Sequence, residues 1–89
     1  MKRNPDFLLR EVAGTSVIVP VGAATTAFPG MITLNATGIY IWQLLEQEQT
    51  EQSLVAAMTE RYDVSEEKAL EDVRAFVERL KHVGAVAEA

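Results

Sequence analysis

The segment from Met31 to Leu45 constrains the fold more than any other, because a strand pattern changes there directly into a helix pattern. Residues 31–34 are apolar or β-branched, as expected at the end of a strand. Asn35 is a favoured N-cap residue, since its side-chain oxygen can accept a hydrogen bond from a backbone N–H of the first helical turn. Apolar residues then recur at helical spacing around Trp42. The sequence therefore predicts a strand that leads straight into a helix.

The rest of the sequence predicts two strands before this junction and two helices after it. Residues 7–12 and 16–21 are rich in apolar and β-branched residues and flank a turn at Gly14, which indicates a hairpin. The third strand is predicted at residues 27–34, with residues 30–34 as its regular part, because Pro29 interrupts the earlier part. Helices are predicted at residues 36–46, 51–62 and 66–83, with caps at Asn35, Thr50, Ser65 and Gly84. The predicted fold class is α+β, a three-stranded antiparallel sheet followed by three helices.

Length and composition limit the classes of protein to consider. A chain of 89 residues is expected to form one domain, here with flexible ends at residues 1–6 and 87–89. The absence of cysteine fits a reducing compartment, and no apolar run is long enough to span a bilayer. We therefore expect a cytoplasmic protein without a membrane partner. The formal net charge of −5 argues against nucleic acid as a partner, because such proteins normally carry a basic face.

The sequence offers little for catalysis or for metal binding. His82 is the single histidine and is predicted near the end of a helix, where it would interact favourably with the last carbonyls. Carboxylates such as Glu66, Glu67 and Glu71 have the distribution of a solvated helix face, and no glycine-rich phosphate loop precedes a helix. We therefore predict a protein that is not an enzyme and that uses no metal or other cofactor.

Three kinds of binding or structural role remain open. A winged-helix domain that binds DNA would need a recognition helix rich in Lys, Arg and Asn, and the acidic residues of the second and third helices argue against this. A peptide-binding domain could add a strand to an exposed sheet edge, and Pro29 gives the third strand the character of an edge. A non-catalytic structural partner subunit is the third possibility.

One family resemblance follows from the order of residues along most of the chain. The segment Leu34-Asn35-x-Thr37-Gly38-x-x-Ile41-Trp42-x-Leu44-Leu45 resembles the hallmark of the PqqD family. The continuation is also similar, with Thr50 opening the second helix, Tyr62-Asp63-Val64 closing it, and Asp72-Val73, Phe76, Leu80 and Gly84 following. Arg10 and the segment Val19-Pro20-Val21-Gly22 agree with stand-alone members of the family. The resemblance covers about residues 7–86.

This resemblance implies a winged-helix-like peptide chaperone, also called a RiPP recognition element. Such a domain binds the leader segment of a ribosomally made precursor peptide and presents it to a modifying enzyme, commonly a radical SAM protein. In the family, the leader adds as a strand to the third strand and lies against the third helix. Carried over by position, the implied peptide-binding residues are Gly30, Met31, Ile32, Thr33 and Leu34 on the strand, and Leu70, Val73, Arg74, Val77 and Lys81 on the helix.

Overall fold

A computed structural model describes residues 1–22 and 31–87 of the chain. Its elements are β1 (Lys2–Arg3), β2 (Phe7–Val12), β3 (Thr15–Pro20), β4 (Ile32–Leu34), α1 (Ala36–Leu44), α2 (Glu51–Arg61), α3 (Glu66–Val83) and β5 (Val86–Ala87). The predicted fold class is confirmed, since three consecutive strands form an antiparallel sheet and three helices follow them. The predicted part of the third strand at residues 27–30 lies outside the described residues.

The three-stranded sheet has the order β2-β3-β4, so that β2 and β4 lie at its two edges. Strands β2 and β3 form the predicted hairpin, in which Val12 pairs with Thr15 across the two-residue turn Ala13-Gly14. Both turn residues have positive φ angles, 52° at Ala13 and 79° at Gly14. Two such residues give the turn a twist that matches the twist of the flanking strands.

The core lies between one face of this sheet and the three helices. Ile18, Ile32 and Leu34 are buried on the inner face of the sheet. Trp42 is buried with 1% of its surface exposed, as its place on the apolar face of α1 predicts. From α3, Ala69, Val73, Phe76, Val77 and Leu80 complete the core with helical spacing. No helix of the described residues is long and apolar enough to cross a membrane.

Each helix begins at the residue that the sequence predicts. The Asn35 side chain accepts a hydrogen bond from the Gly38 backbone N–H at 2.8 Å, and Ser65 accepts one from Lys68 in the same way. Thr50 forms a capping box, in which the side chains of Thr50 and Ser53 accept hydrogen bonds from each other's backbone N–H. Gly84 ends α3 in the left-handed conformation, with φ of 80°. The strand, the cap and the helix at residues 32–44 therefore form the continuous unit that the sequence indicates.

The ends of the described chain differ from the sequence-based expectation. Residues 1–6 were expected to form a flexible lead-in, whereas Lys2 and Arg3 pair with Ala87 and Val86 as a two-stranded antiparallel sheet. Backbone hydrogen bonds from Arg3 N–H to the Leu45 carbonyl and from Asn4 N–H to the Ala85 carbonyl, at 2.9 and 2.8 Å, extend this contact. A strand of two residues is too short to produce a recognisable periodic pattern, so it could not be predicted from the sequence.

Candidate functional site

The outer edge of β4 is the first feature of the candidate site. The strand pairs on one side with β3, through Ile18 with Ile32 and Ser16 with Leu34. On its other side it pairs with no further strand of the described residues. An edge of this kind presents backbone N–H and C=O groups that can pair with another extended chain. Met31, which precedes the strand, is 56% exposed, and Thr33 is also exposed.

A groove runs between β4 and one flank of α3, and we call it the β4–α3 groove. Its first half, of about 490 Å³, lies beside Thr33, Leu34 and the N-terminal turn of α1, with Asp72 and Phe76 opposite. Its second half, of about 670 Å³, lies beside Ile32 and the last turns of α3. Ala75 and Arg79 line both halves and therefore mark the middle of the groove.

The helical wall of this groove is a single stripe of side chains. Asp72, Ala75, Arg79 and His82 are spaced three or four residues apart, and residues at this spacing lie above one another on a helix. Below them, Ile32, Leu34 and Phe76 are buried and form an apolar floor. The groove thus combines a strand edge, an apolar floor and a polar rim, which is the combination that extended peptides use.

Gly38 explains why α1 comes so close to α3 at one end of the groove. A Cβ atom at this position would lie 3.3 Å from Cε1 of Phe76 and 3.4 Å from a side-chain carbon of Leu34. Such distances are at the short end of ordinary contacts, so a larger residue would separate the two helices. The Asn35 cap and Gly38 together determine where the end of β4 meets α3.

Two charged side chains of the groove, Asp72 and Arg79, differ in whether a described residue pairs with them. Asp72 lies 3.0 Å from the ammonium group of Lys68 one turn earlier. The hydrogen bond from Lys68 to Asp72, with the negative charge of that carboxylate, raises the pKa of Lys68. Arg79 is exposed, and its side chain makes no hydrogen bond or ion pair with a described residue. A carboxylate or carbonyl of a bound chain could therefore pair with Arg79 without displacing another partner.

The structure places Ile32, Thr33 and Leu34 at this groove, whereas Met31 is exposed and is not among the residues that line it. Ile32 and Leu34 point inward and Thr33 outward, as the alternation in the sequence predicts. Gly30 lies outside the described residues. That a peptide contacts these residues remains a prediction.

The predicted helix residues are divided among three environments. Leu70 and Arg74 lie on the opposite flank of α3, where they line a depression against α2, and Arg74 is 2.9 Å from Glu51. Val73 is fully buried and Val77 nearly so, which makes both part of the core. Lys81 borders the end of the β4–α3 groove.

The sequence alone could not distinguish the two flanks of α3. Both flanks border the same buried arc and both carry cations, and the choice depends on where α2 packs. The stripe Asp72, Ala75, Arg79 and His82 has a regular helical spacing in the sequence, but an exposed stripe of this kind is also typical of a solvated face. Only the three-dimensional order of β4, α3 and α2 identifies which stripe faces the strand edge.

The described residues contain no cluster of side chains suited to binding a metal ion. No group of three or more His, Asp or Glu side chains lies close enough to coordinate a metal ion in this part of the chain. Every described buried polar side-chain atom has a hydrogen-bond partner. The chemistry available at the groove is therefore hydrogen bonding, ion pairing and apolar contact.

Comparisons with known proteins agree with this architecture. The structure resembles "TbiB1 in Complex with the TbiA(beta) Leader Peptide" with a TM-score of 0.77 and 21% sequence identity, over 100% of this chain and 98% of that chain. No curated protein matches the sequence. Residues 16–86 match the sequence profile described as Coenzyme PQQ synthesis protein D (PqqD), and these residues include β3, β4 and all three helices. A match over this much of the chain shows that the protein belongs to the PqqD family.

Proposed function

We propose that this protein binds the leader segment of a ribosomally synthesised precursor peptide and presents it to a separate modifying enzyme. The main observation in support is the outer edge of β4, which pairs with no other described strand and lies beside the β4–α3 groove. Membership of the PqqD family supports it, and so does the similarity to TbiB1, which was solved in complex with a leader peptide. For the modifying enzyme, the resemblance to the family suggests a radical SAM protein.

In this proposal, the leader adds to β4 as a further strand. Its backbone pairs with the outward-facing N–H and C=O groups of the β4 edge, which supplies affinity that does not depend on the leader sequence. Alternate side chains of the added strand then point toward the sheet face that carries the groove, because side chains of a strand alternate between its two faces. The apolar floor at Ile32, Leu34 and Phe76 selects apolar side chains, and Arg79 selects a carboxylate.

The proposed role needs no reaction at the groove itself. A hydrogen-bonding and apolar groove can fix the conformation and position of a peptide, and the covalent chemistry is then carried out by the partner enzyme. We therefore propose a non-catalytic peptide chaperone.

The position of the leader is tested by filling the middle of the groove. Ala75 is exposed and lines both halves, so Ala75→Trp would occupy space that the leader needs without disturbing the core. Ala56, an exposed alanine on α2, supplies the matched control Ala56→Trp. The probes are leader segments of short precursor peptides encoded beside the gene for this chain. We expect calorimetric titration to give at least about tenfold weaker binding for Ala75→Trp, as for loss of about 1.4 kcal/mol, and unchanged binding for Ala56→Trp.

A second pair of variants distinguishes the two flanks of α3. Arg79→Glu reverses a charge at the β4–α3 groove, and Arg74→Glu makes the same change beside α2. We expect Arg79→Glu to weaken binding more than Arg74→Glu, and NMR shifts on adding the leader to cluster at residues 31–34 and along the Asp72 to His82 stripe. A larger loss for Arg74→Glu, with shifts on α2, would place the leader on the other flank and contradict the proposal.

A further inference from the structure

The second edge of the sheet also borders a groove. Four consecutive residues of β2, from Phe7 to Arg10, line a groove of about 900 Å³. Its other wall is formed by Trp42, Glu46 and Gln47 at the end of α1. Consecutive residues of a strand point to opposite faces of the sheet, so a groove that touches all four must run along the edge of the strand rather than over one face. We call it the β2 groove.

The outer edge of β2 is available for pairing beyond Phe7, whose N–H already donates to the Asn4 carbonyl at 3.0 Å. The strand pairs with β3 over all six of its residues, and no other strand of the described residues pairs with its outer side. It is twice as long as β4, which has three residues. The length of an edge strand determines how many backbone groups an added chain can pair with, so β2 offers the longer template.

The β2 groove is lined mainly by positive charges, although the whole chain has a net negative charge. The protein has 13 acidic and eight basic residues, yet three of the cations, Lys2, Arg3 and Arg10, line this groove. Arg3 lies over the Trp42 ring, 5.6 Å from its centroid, and 3.9 Å from Glu46. Lys2 and Arg10 are exposed, and the side chain of neither makes a hydrogen bond or ion pair with any described residue. Two cations are thus left for a partner to neutralise.

From these observations we propose that the β2 groove binds an extended acidic segment of a partner protein, which adds to β2 as a strand and places carboxylates against Lys2 and Arg10. Opposite charges favour an acidic occupant and speed its encounter with the groove. The half-buried side chains of Leu8 and Leu9 provide contact area for its uncharged side chains. The inference goes beyond the proposed function, and only the simultaneous binding of a leader at β4 rests on that function.

The two grooves lie at opposite edges of the same sheet, with β3 between them. A chain added to β2 therefore does not compete for backbone groups with a chain added to β4. The domain can bind two extended chains at once, one on each edge, and so bring a peptide close to a second protein.

The test uses the full chain, labelled for NMR, and a synthetic eight-residue peptide of alternating glutamate and valine. Two further peptides serve as probes, one with lysine in place of glutamate and one with proline in place of valine, which cannot donate to a strand ladder. We expect the acidic peptide to shift the amide signals of residues 7–10, and the lysine and proline peptides to leave them unchanged. A leader peptide that binds at β4, added to this complex, should not displace the acidic peptide.

Charge-reversal variants connect the effect with the two cations. The double variant Lys2→Glu with Arg10→Glu should bind the acidic peptide at least about tenfold more weakly, because two favourable charge contacts become repulsive. Arg74→Glu with Lys81→Glu changes the net charge of the chain by the same amount at another place and should leave the affinity within about twofold, since distant exposed charges are screened by salt. Circular dichroism would check that both variants are folded.

Several outcomes would overturn the inference. No shift at residues 7–10 up to millimolar acidic peptide would do so, as would shifts of equal size with the lysine peptide. Equally tight binding of a short DNA duplex, lost in the Lys2 and Arg10 variant, would identify a general polyanion site instead. A concentration-dependent dimer that the same variant dissociates would identify a second copy of this chain as the occupant.

Discussion

Ala13 occupies a backbone conformation that its side chain disfavours. It is the first residue of the β2–β3 turn and has a φ of 52°, whereas Gly14, with φ of 79°, has no Cβ to clash. Turns with two positive φ angles favour Asn-Gly, because Asn tolerates the left-handed conformation better than Ala does. We expect Ala13→Asn to raise the free energy of unfolding by about 1 kcal/mol, measured by urea denaturation.

The neighbouring glycine provides the matched control for this prediction. A Cβ at Gly14 would meet no atom within 4 Å, so Gly14→Ala changes only backbone strain. It should lower the free energy of unfolding by about 1 kcal/mol. If Gly14→Ala has this effect while Ala13→Asn is neutral or destabilising, the assigned conformation of Ala13 is wrong.

Single residues were also the part of the structure that the sequence predicted best. Asn35, Thr50, Ser65 and Gly84 are all at the helix ends predicted from their side-chain chemistry. Capping is a local interaction, between a residue and a backbone group within one turn, so it can be recognised without knowledge of the rest of the fold. The conformation of Ala13 could not be recognised in this way, because alanine carries no preference that identifies a turn.

At the level of elements, α3 illustrates what periodicity can and cannot predict. Its bounds at Glu66–Val83 and its buried arc agree with the sequence-based prediction, because the apolar period is clear over 18 residues. The period identifies the buried arc but leaves its two flanks equivalent. Arg74 faces α2 and Arg79 faces β4 because of how three elements pack together, which no single helix encodes.

The contact between α2 and α3 includes an ion pair whose effect on stability depends on pH. Glu51 accepts a hydrogen bond from Arg74, and this bond, with the positive charges of Arg74 and Lys81, lowers the pKa of Glu51 although desolvation opposes it. A folded-state pKa below the unfolded one, about 4.3, means that the pair stabilises the fold above that pH. The contribution is lost as the pH falls through the lowered pKa of the folded state.

We therefore expect Glu51→Gln to be less stable than the wild type at pH 7 and to approach it in stability at pH 3. Urea denaturation of both proteins across this range would measure the difference. Glu78 is an exposed carboxylate of α3 without an ion pair to a described residue, so Glu78→Gln is the control and should follow the wild type throughout. If the difference in stability between Glu51→Gln and the wild type did not change with pH, the charge of the Glu51 carboxylate would not be its cause.

At the scale of the whole molecule, the sheet places two grooves of different character at its two edges. The β4–α3 groove has an apolar floor and a mixed rim, whereas the β2 groove is lined by three cations. The sequence predicted one edge, because Pro29 and the strand-to-helix junction identify β4. It did not predict the second groove, because this groove is formed where β1 and β2 meet the end of α1, which lies far from both strands along the chain.

The two ends of the described chain meet beside the second groove, and Asn4 is the residue that connects them. Its side-chain amide donates a hydrogen bond to the Gly84 carbonyl at 2.9 Å, and its side-chain oxygen accepts one from the Asp6 backbone N–H, also at 2.9 Å. Its own N–H donates to the Ala85 carbonyl at 2.8 Å. Asn4 thus links the segment before β2 to the segment after α3.

We expect Asn4→Ala to lower the free energy of unfolding by about 1 kcal/mol, because two side-chain hydrogen bonds are lost while the backbone bond remains. Amide hydrogen exchange should also become faster at Arg3 and Asn4, whose N–H groups donate across this contact, and remain unchanged in the middle of α3. Gln52→Ala, an exposed change on α2, is the control and should alter stability by less than about 0.5 kcal/mol. If the amides of Arg3 and Asn4 exchange in the wild type as fast as those of an unfolded chain, the β1–β5 contact does not form in solution and one wall of the β2 groove is absent.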